Sequence, residues 1–109
     1  MSARFVDYEI SRSNVFEDLG LSDAPELRVK ARLAHRISQI IEKRDMTQTQ
    51  AAAVLGIDQP KVSALVRGRL EKFSIERLCH FLRALGCDVD IQITEKKKPM
   101  PGRLTVSVT

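Results

Sequence analysis

Hydrophobic and polar positions along the chain change period twice, and each change marks a different kind of element. Over residues 1–23, Val6, Tyr8 and Ile10 alternate weakly before Ser11, Ser13 and Asn14 interrupt them, so that neither a helical nor a strand period is sustained. The expectation is a flexible N-terminal arm over residues 1–24. Within it, a short edge strand near residues 5–10 and one amphipathic turn using Val15, Phe16 and Leu19 fit the local pattern.

From Pro25 the spacing becomes helical. Leu27, Ala31, Ala34, Ile37 and Ile41 recur on one face, and Arg28, Arg32, Arg36, Gln39 and Lys43 cover another. Asp23 is the candidate N-cap, Pro25 falls in the first turn, and Lys43 and Arg44 suit the negative end of the helix dipole. A second, Ala-rich helix follows, ending at Leu55. At its start Thr47 can accept from the amide of Gln50 while the Gln50 side chain reaches back, a capping box. Gly56 stops this helix, Asp58 caps the next, and Pro60 is tolerated because the first amides of a helix have no partner. Gly68 closes the third helix. Phe73, Ser74 and Leu78 have the spacing of a hydrophobic staple around a cap, and Ile75, Leu78, Leu82 and Leu85 predict the buried stripe of a fourth helix that ends at Gly86.

Beyond Gly86 the period falls to two. Val89, Ile91 and Ile93 alternate with Asp88, Asp90, Gln92 and Thr94, and Leu104, Val106 and Val108 alternate with Arg103, Thr105 and Ser107. Residues 95–102, with three lysines, Pro99, Pro101 and Gly102, read as a loop. The pattern predicts a C-terminal pair of β-strands. Two strands alone are barely stable, so they are expected to pair with a second copy or to pack on the helices. The fold class is therefore mainly α, a four- to five-helix bundle with a C-terminal strand pair and an N-terminal arm. Its divisions are an arm (1–24), a helical domain (25–86) and a C-terminal β-strand dimerisation extension (87–109).

Charge sharpens this picture. The net charge is +4, but the first 24 residues set Arg4 and Arg12 against Asp7, Glu9, Glu17, Asp18 and Asp23, which leaves +7 on the remainder. The basic surface belongs to the folded body and favours an anionic partner. The acidic arm is either a tail or a segment that folds on a basic partner. Lys96, Lys97 and Lys98 read as a solvated loop that adds a weak, non-specific phosphate term. No run approaches the roughly 18 apolar residues of a membrane span, and no signal-peptide layout opens the chain, so a cytoplasmic protein without a membrane partner is expected. Cys79 and Cys87 are too few for a disulfide framework and read as reduced, buried thiols. His35 and His80 have no carboxylate or cysteine at productive spacing, and no nucleophile, paired-carboxylate or phosphate-cradling motif is visible. Neither an enzyme, a cofactor nor a metal is called for.

The informative stretch is 47–67, a short helix, a turn at Leu55, Gly56 and Ile57, and a second helix opening at Asp58. Two helices meeting steeply need a small residue where their backbones approach, for which Ala52 is the candidate, and a turn residue free to take positive φ, which is Gly56. Leu55, Ile57, Val62 and Leu65 would lock the pair onto the first and fourth helices. Gln59, Lys61, Ser63 and Arg67 are then left facing outward. A glutamine can bond an adenine edge bidentately, lysine and arginine reach guanine or phosphate, and serine adapts to either. The amides opening the second helix, around Thr47 and Gln48, form an anion site suited to a backbone phosphate, and Arg69 and Lys72 extend the basic surface. The candidate DNA-binding residues are thus Thr47, Gln48, Asp58, Gln59, Lys61, Ser63, Arg67 and Arg69.

The spacing of Gln48, Ala52, Gly56, Ile57, Val62 and Leu65 resembles the helix-turn-helix of the Xre/Cro repressor family. More narrowly, NVFEDLGL (14–21), TQTQAAAVLGIDQPKVSALVRGRL (47–70) and FSIERLCHFLRALGCDVDI (73–91) look like the antitoxin subgroup found in HigA-type toxin–antitoxin operons. This resemblance implies a bundle of the lambda-repressor-like DNA-binding type. It also implies a homodimer on an operator in double-stranded DNA, and a protein that represses its own promoter while neutralising a RelE/HigB-like ribonuclease toxin by contact. By position, Gln59 is similar to the family's main base-reading site, Gln48 to its phosphate contact and Ser63 to a groove-facing site. Ala64 departs from relatives that place a base-reading amide there, and Asp58 suits DNA only as a cap. A stand-alone regulator with no toxin partner is the alternative reading.

Overall fold

In a computed structural model of the chain, residues 23–97 and 99–109 are described. The arm expected over 1–24, with its short strand and amphipathic turn, lies almost wholly outside them.

Four helices follow one another: α1 (Asp23–Lys43), α2 (Gln48–Leu55), α3 (Gln59–Val66) and α4 (Ile75–Ala84). α1 begins at Asp23, one residue earlier than a cap at that position implies, with Pro25 in the first turn where a missing amide costs nothing. Its buried side is Val29, Leu33, Ala34, Ile37, Ile40 and Ile41, whereas Leu27 remains half in solvent (53% exposed) and Ala31 is exposed. The stripe is thus rotated from the one expected at the helix start. Both phases satisfy a 3.6-residue period, and the phase that carries Val29, Leu33 and Ile40 is the one turned to the core.

Each short helix carries the cap expected of it. Thr47 Oγ1 accepts from the Gln50 amide at 3.0 Å and the Thr47 amide donates to Gln50 Oε1 at 2.9 Å, completing the capping box. Asp58 accepts from the Lys61 amide at 3.0 Å, and Ser74 from the Arg77 amide at 3.0 Å. At the other ends one backbone device repeats. The amides of Met46, Ile57, Arg69 and Cys87 donate to the carbonyls of Ile41, Ala52, Ala64 and Leu82 respectively, each bond closing over a residue in the left-handed region. At three of these closures that residue is glycine, and at α1 it is Asp45, with φ 55°.

The core draws on all four helices. Val62, Leu65, Leu78, Phe81 and Leu85 are essentially inaccessible, and Phe73 meets Phe81 edge-on with ring centroids 5.9 Å apart. Such a pair adds about 0.5–1.5 kcal/mol to simple burial. Phe81, absent from the expected stripe, is thus central to it, while Ile75 is only half-buried. Arg44 ties the two ends of the bundle together, its Nη2 donating to the Leu85 carbonyl at 2.8 Å.

The expected C-terminal pair of β-strands is not formed: the described residues are helical in four segments and contain no strand. Alternation makes a segment suitable for a ladder but supplies no partner, and Pro99, Pro101 and Gly102 lie between the two runs where a tight turn would be needed. Instead each run sends one side chain, Val89 or Val106, onto the helical core. Of the remaining apolar positions in these runs, Ile91 and Ile93 are the most exposed, at 77% and 93%. The fold is therefore an all-α helix-turn-helix bundle over the described residues.

Candidate nucleic-acid interface

α2, the turn at Gly56 and α3 form the unit on which the candidate residues sit. Gly56 holds φ 73° and ψ 32°, and its amide donates to Ala52 at 2.8 Å. A Cβ at this glycine would meet no atom within 4 Å, so its need is for the left-handed backbone and not for space. Ala51 is fully buried, and Ala52 is half-buried against the same core. Leu55, Val62 and Leu65 are buried, and Ile57 packs beside them. With one side of α3 held this way, Gln59, Lys61 and Arg67 are exposed, Ser63 is half-buried, and Thr47, Gln48, Asp58 and Arg69 are exposed.

The polar chemistry is divided between holding the helices and facing outward. Thr47 and Gln50 are engaged with each other in the capping box, which leaves Gln48 and Thr49 as the outward pair of the first turn of α2. The carboxylate of Asp58 is engaged with the Lys61 amide, so Asp58 serves α3 as its cap. On α3 and the turn after it, Lys61, Arg67, Arg69 and Lys72 are exposed against Asp58 and Glu71, a locally positive surface. By contrast, Arg28, Arg32 and Arg36 line a separate shallow groove with His35, Gln39 and Val108. The helix-turn-helix does not share it.

One contact was not legible as part of the site. Gln59 Nε2 donates to Thr49 Oγ1 at 3.0 Å, joining the first turn of α2 to the first residue of α3. The available signal was subtraction: in the run from Thr47 to Gln50, the capping box uses the outer two residues and leaves Thr49 free. Elsewhere, burial pushes the Cys79 thiol above its ordinary range, helped by the nearby Glu76 carboxylate, which keeps it protonated near neutral pH.

Two short helices joined through a left-handed glycine, clamped on one side and polar on the other, define a helix-turn-helix protein. A family model described as "Helix-turn-helix domain" matches residues 15–94, and the chain belongs to that family. Among solved structures it is similar to one named for the XRE family of transcriptional regulators. The two share 44% identity at a TM-score of 0.73, over 80% of this chain and 99% of the other. This places the chain in the XRE family of helix-turn-helix proteins. No curated protein matches it.

Proposed function

We propose that this protein is a sequence-specific, DNA-binding transcriptional repressor that places α3 in the major groove. The observation that carries the reading is the division of α3 and its C-cap, with Val62 and Leu65 buried and Gln59, Lys61 and Arg67 exposed. Gln59 reads a base edge, Lys61, Arg67 and Arg69 engage phosphate or guanine, and Ser63 meets the groove wall. Thr47, Gln48 and the first amides of α2 hold a phosphate of the same site, and Asp58 keeps α3 aimed. The protein acts as a homodimer on two half-sites about one duplex turn (~34 Å) apart, with the 87–109 extension as its dimerisation element. Its uncovered Ile91 and Ile93 favour that assignment. No catalytic role is assigned, and no helix among the described residues is long and apolar enough to cross a membrane, consistent with a regulator acting on DNA in the cytoplasm.

The test is binding to duplexes selected by the wild-type protein from a randomised pool. Gln59→Ala is expected to weaken specific binding by roughly 1–3 kcal/mol and to relax one base position. Lys61→Ala lowers affinity evenly across sequences and reduces the salt slope by about one. Unchanged affinity and base preference in Gln59→Ala would remove α3 as the reading helix.

The finer reading is that the repressor is the antitoxin of a type II toxin–antitoxin operon and neutralises a RelE/HigB-like ribonuclease. Its support is the likeness of 14–21, 47–70 and 73–91 to that subgroup, together with the net −3 of the first 24 residues, suited to a basic protein. Co-expression with the adjacent gene is expected to yield a co-purifying complex and to restore growth. Growth arrest that persists, or an adjacent product that does not bind, leaves a stand-alone regulator.

A further inference from the structure

Gln59 is not a free side chain, although it is exposed. Its amide nitrogen has two hydrogens, and one of them is directed to Thr49 Oγ1 across a 3.0 Å bond. What remains for a ligand is the other N–H and the carbonyl Oε1, one donor and one acceptor. Adenine presents N7 and N6–H to the major groove, an acceptor and a donor, so the remaining groups of Gln59 match it. Guanine presents two acceptors, O6 and N7, and is matched only by an amide that offers both of its N–H groups outward.

We infer that Thr49 is the specificity-determining partner of Gln59, anchoring its amide by the nitrogen so that it is set for adenine before DNA arrives. The inference rests on the proposed role of Gln59 as a base reader and adds to it the residue that decides which base is read. Thr49 acts through Gln59 and is a positioning residue. Three features make the arrangement rigid enough for the task. Thr49 stands in the first turn of α2, whose start is held by the Thr47–Gln50 box. Gln59 is the first residue of α3, which is held by Asp58. The turn between them is fixed by Gly56. A long amide side chain ordinarily loses rotamer freedom on binding, and the Thr49 bond has it ordered beforehand. Both residues are exposed, so water replaces the bond readily in the unfolded chain and its effect on folding is small. Its effect is on recognition.

The experiment compares Thr49→Val, which keeps the shape and removes the acceptor, with Thr49→Ser, which keeps the hydroxyl, each alone and with Gln59→Ala. The probes are duplexes selected by the wild-type protein and their three variants at the base pair to which Gln59→Ala is most sensitive. Thr49→Val is expected to reduce affinity for the preferred duplex about fivefold and to erode the preference for adenine over guanine at that pair. Thr49→Ser retains both, thermal stability is unchanged in each, and Thr49→Val has no further effect once Gln59 is alanine. In the free protein, the Gln59 side-chain amide signals lose their order in Thr49→Val. Full affinity and unaltered preference in Thr49→Val, in a protein whose Gln59→Ala variant has lost them, overturns the inference and leaves Gln59 as the reader. Preference that survives Gln59→Ala overturns both.

Discussion

Asp45 stands where three of the four helix endings have glycine. Its φ of 55° lies in the left-handed region, and the Met46 amide still closes on Ile41 above it. Aspartate tolerates this backbone better than most residues, but strain remains and its charge faces the negative end of α1. Glycine would relieve both and would also loosen the unfolded chain, which offsets part of the gain. Asp45→Gly is therefore expected to stabilise the protein by about 0.5–1 kcal/mol, read as a higher urea midpoint at unchanged slope. Asp45 is exposed two residues before the proposed phosphate contact at Thr47, so loss of its carboxylate should not weaken DNA binding. The same scale explains why caps are legible in sequence: Thr47 with Gln50, Asp58 with Lys61, and Ser74 with Arg77 each act over three residues. Thr49 with Gln59 acts over ten and across a turn.

At the scale of elements, the helices follow from punctuation and the C-terminal extension does not. Gly56, Gly68 and Gly86 each end a helix because a local bond over a left-handed residue stops it. Nothing local ends or begins a strand in the same way, since a strand exists only when another segment takes up its hydrogen bonds. The alternation through Val89, Ile91 and Ile93 is present, yet only Val89 is packed on the helices. If a second copy covers the rest, replacing Ile91 and Ile93 together with serine should shift the protein from dimer to monomer in sedimentation and weaken operator binding. The helical signal of the bundle should be retained. A wild-type protein that sediments as a monomer at micromolar concentration, with DNA bound, would remove the extension from its dimerisation role.

For the whole molecule, the decisive contacts join parts remote in sequence. Arg44, expected only to complement a helix dipole, reaches across 41 residues to the Leu85 carbonyl and couples the end of α1 to the end of α4. Phe73 and Phe81 pack edge to face, with the Arg77 guanidinium 5.6 Å from the centre of the Phe81 ring, so one aromatic pair links the turn before α4 to the core and to its surface. Two groups of basic residues among the described ones likewise lie apart. Lys61, Arg67 and Arg69 accompany the helix-turn-helix, and Arg28, Arg32 and Arg36 line the outer side of α1 beside Val108. A count of charge treats these as one reservoir, and only placement separates the first group, the one proposed to meet DNA, from the second.

By itself, the order of residues determined where each short helix begins and stops, which side of α3 is apolar, and which polar side chains are left over for a ligand. Caps, glycine stops and periodicity act within a turn or two of the backbone, and that range is written in adjacent letters. Tertiary packing decided the phase of α1, the absence of a strand pair among the described residues, and the bond from Gln59 to Thr49. Each depends on which distant surface arrives opposite, and a local pattern compatible with two answers is resolved only by the partner that buries or bonds one of them.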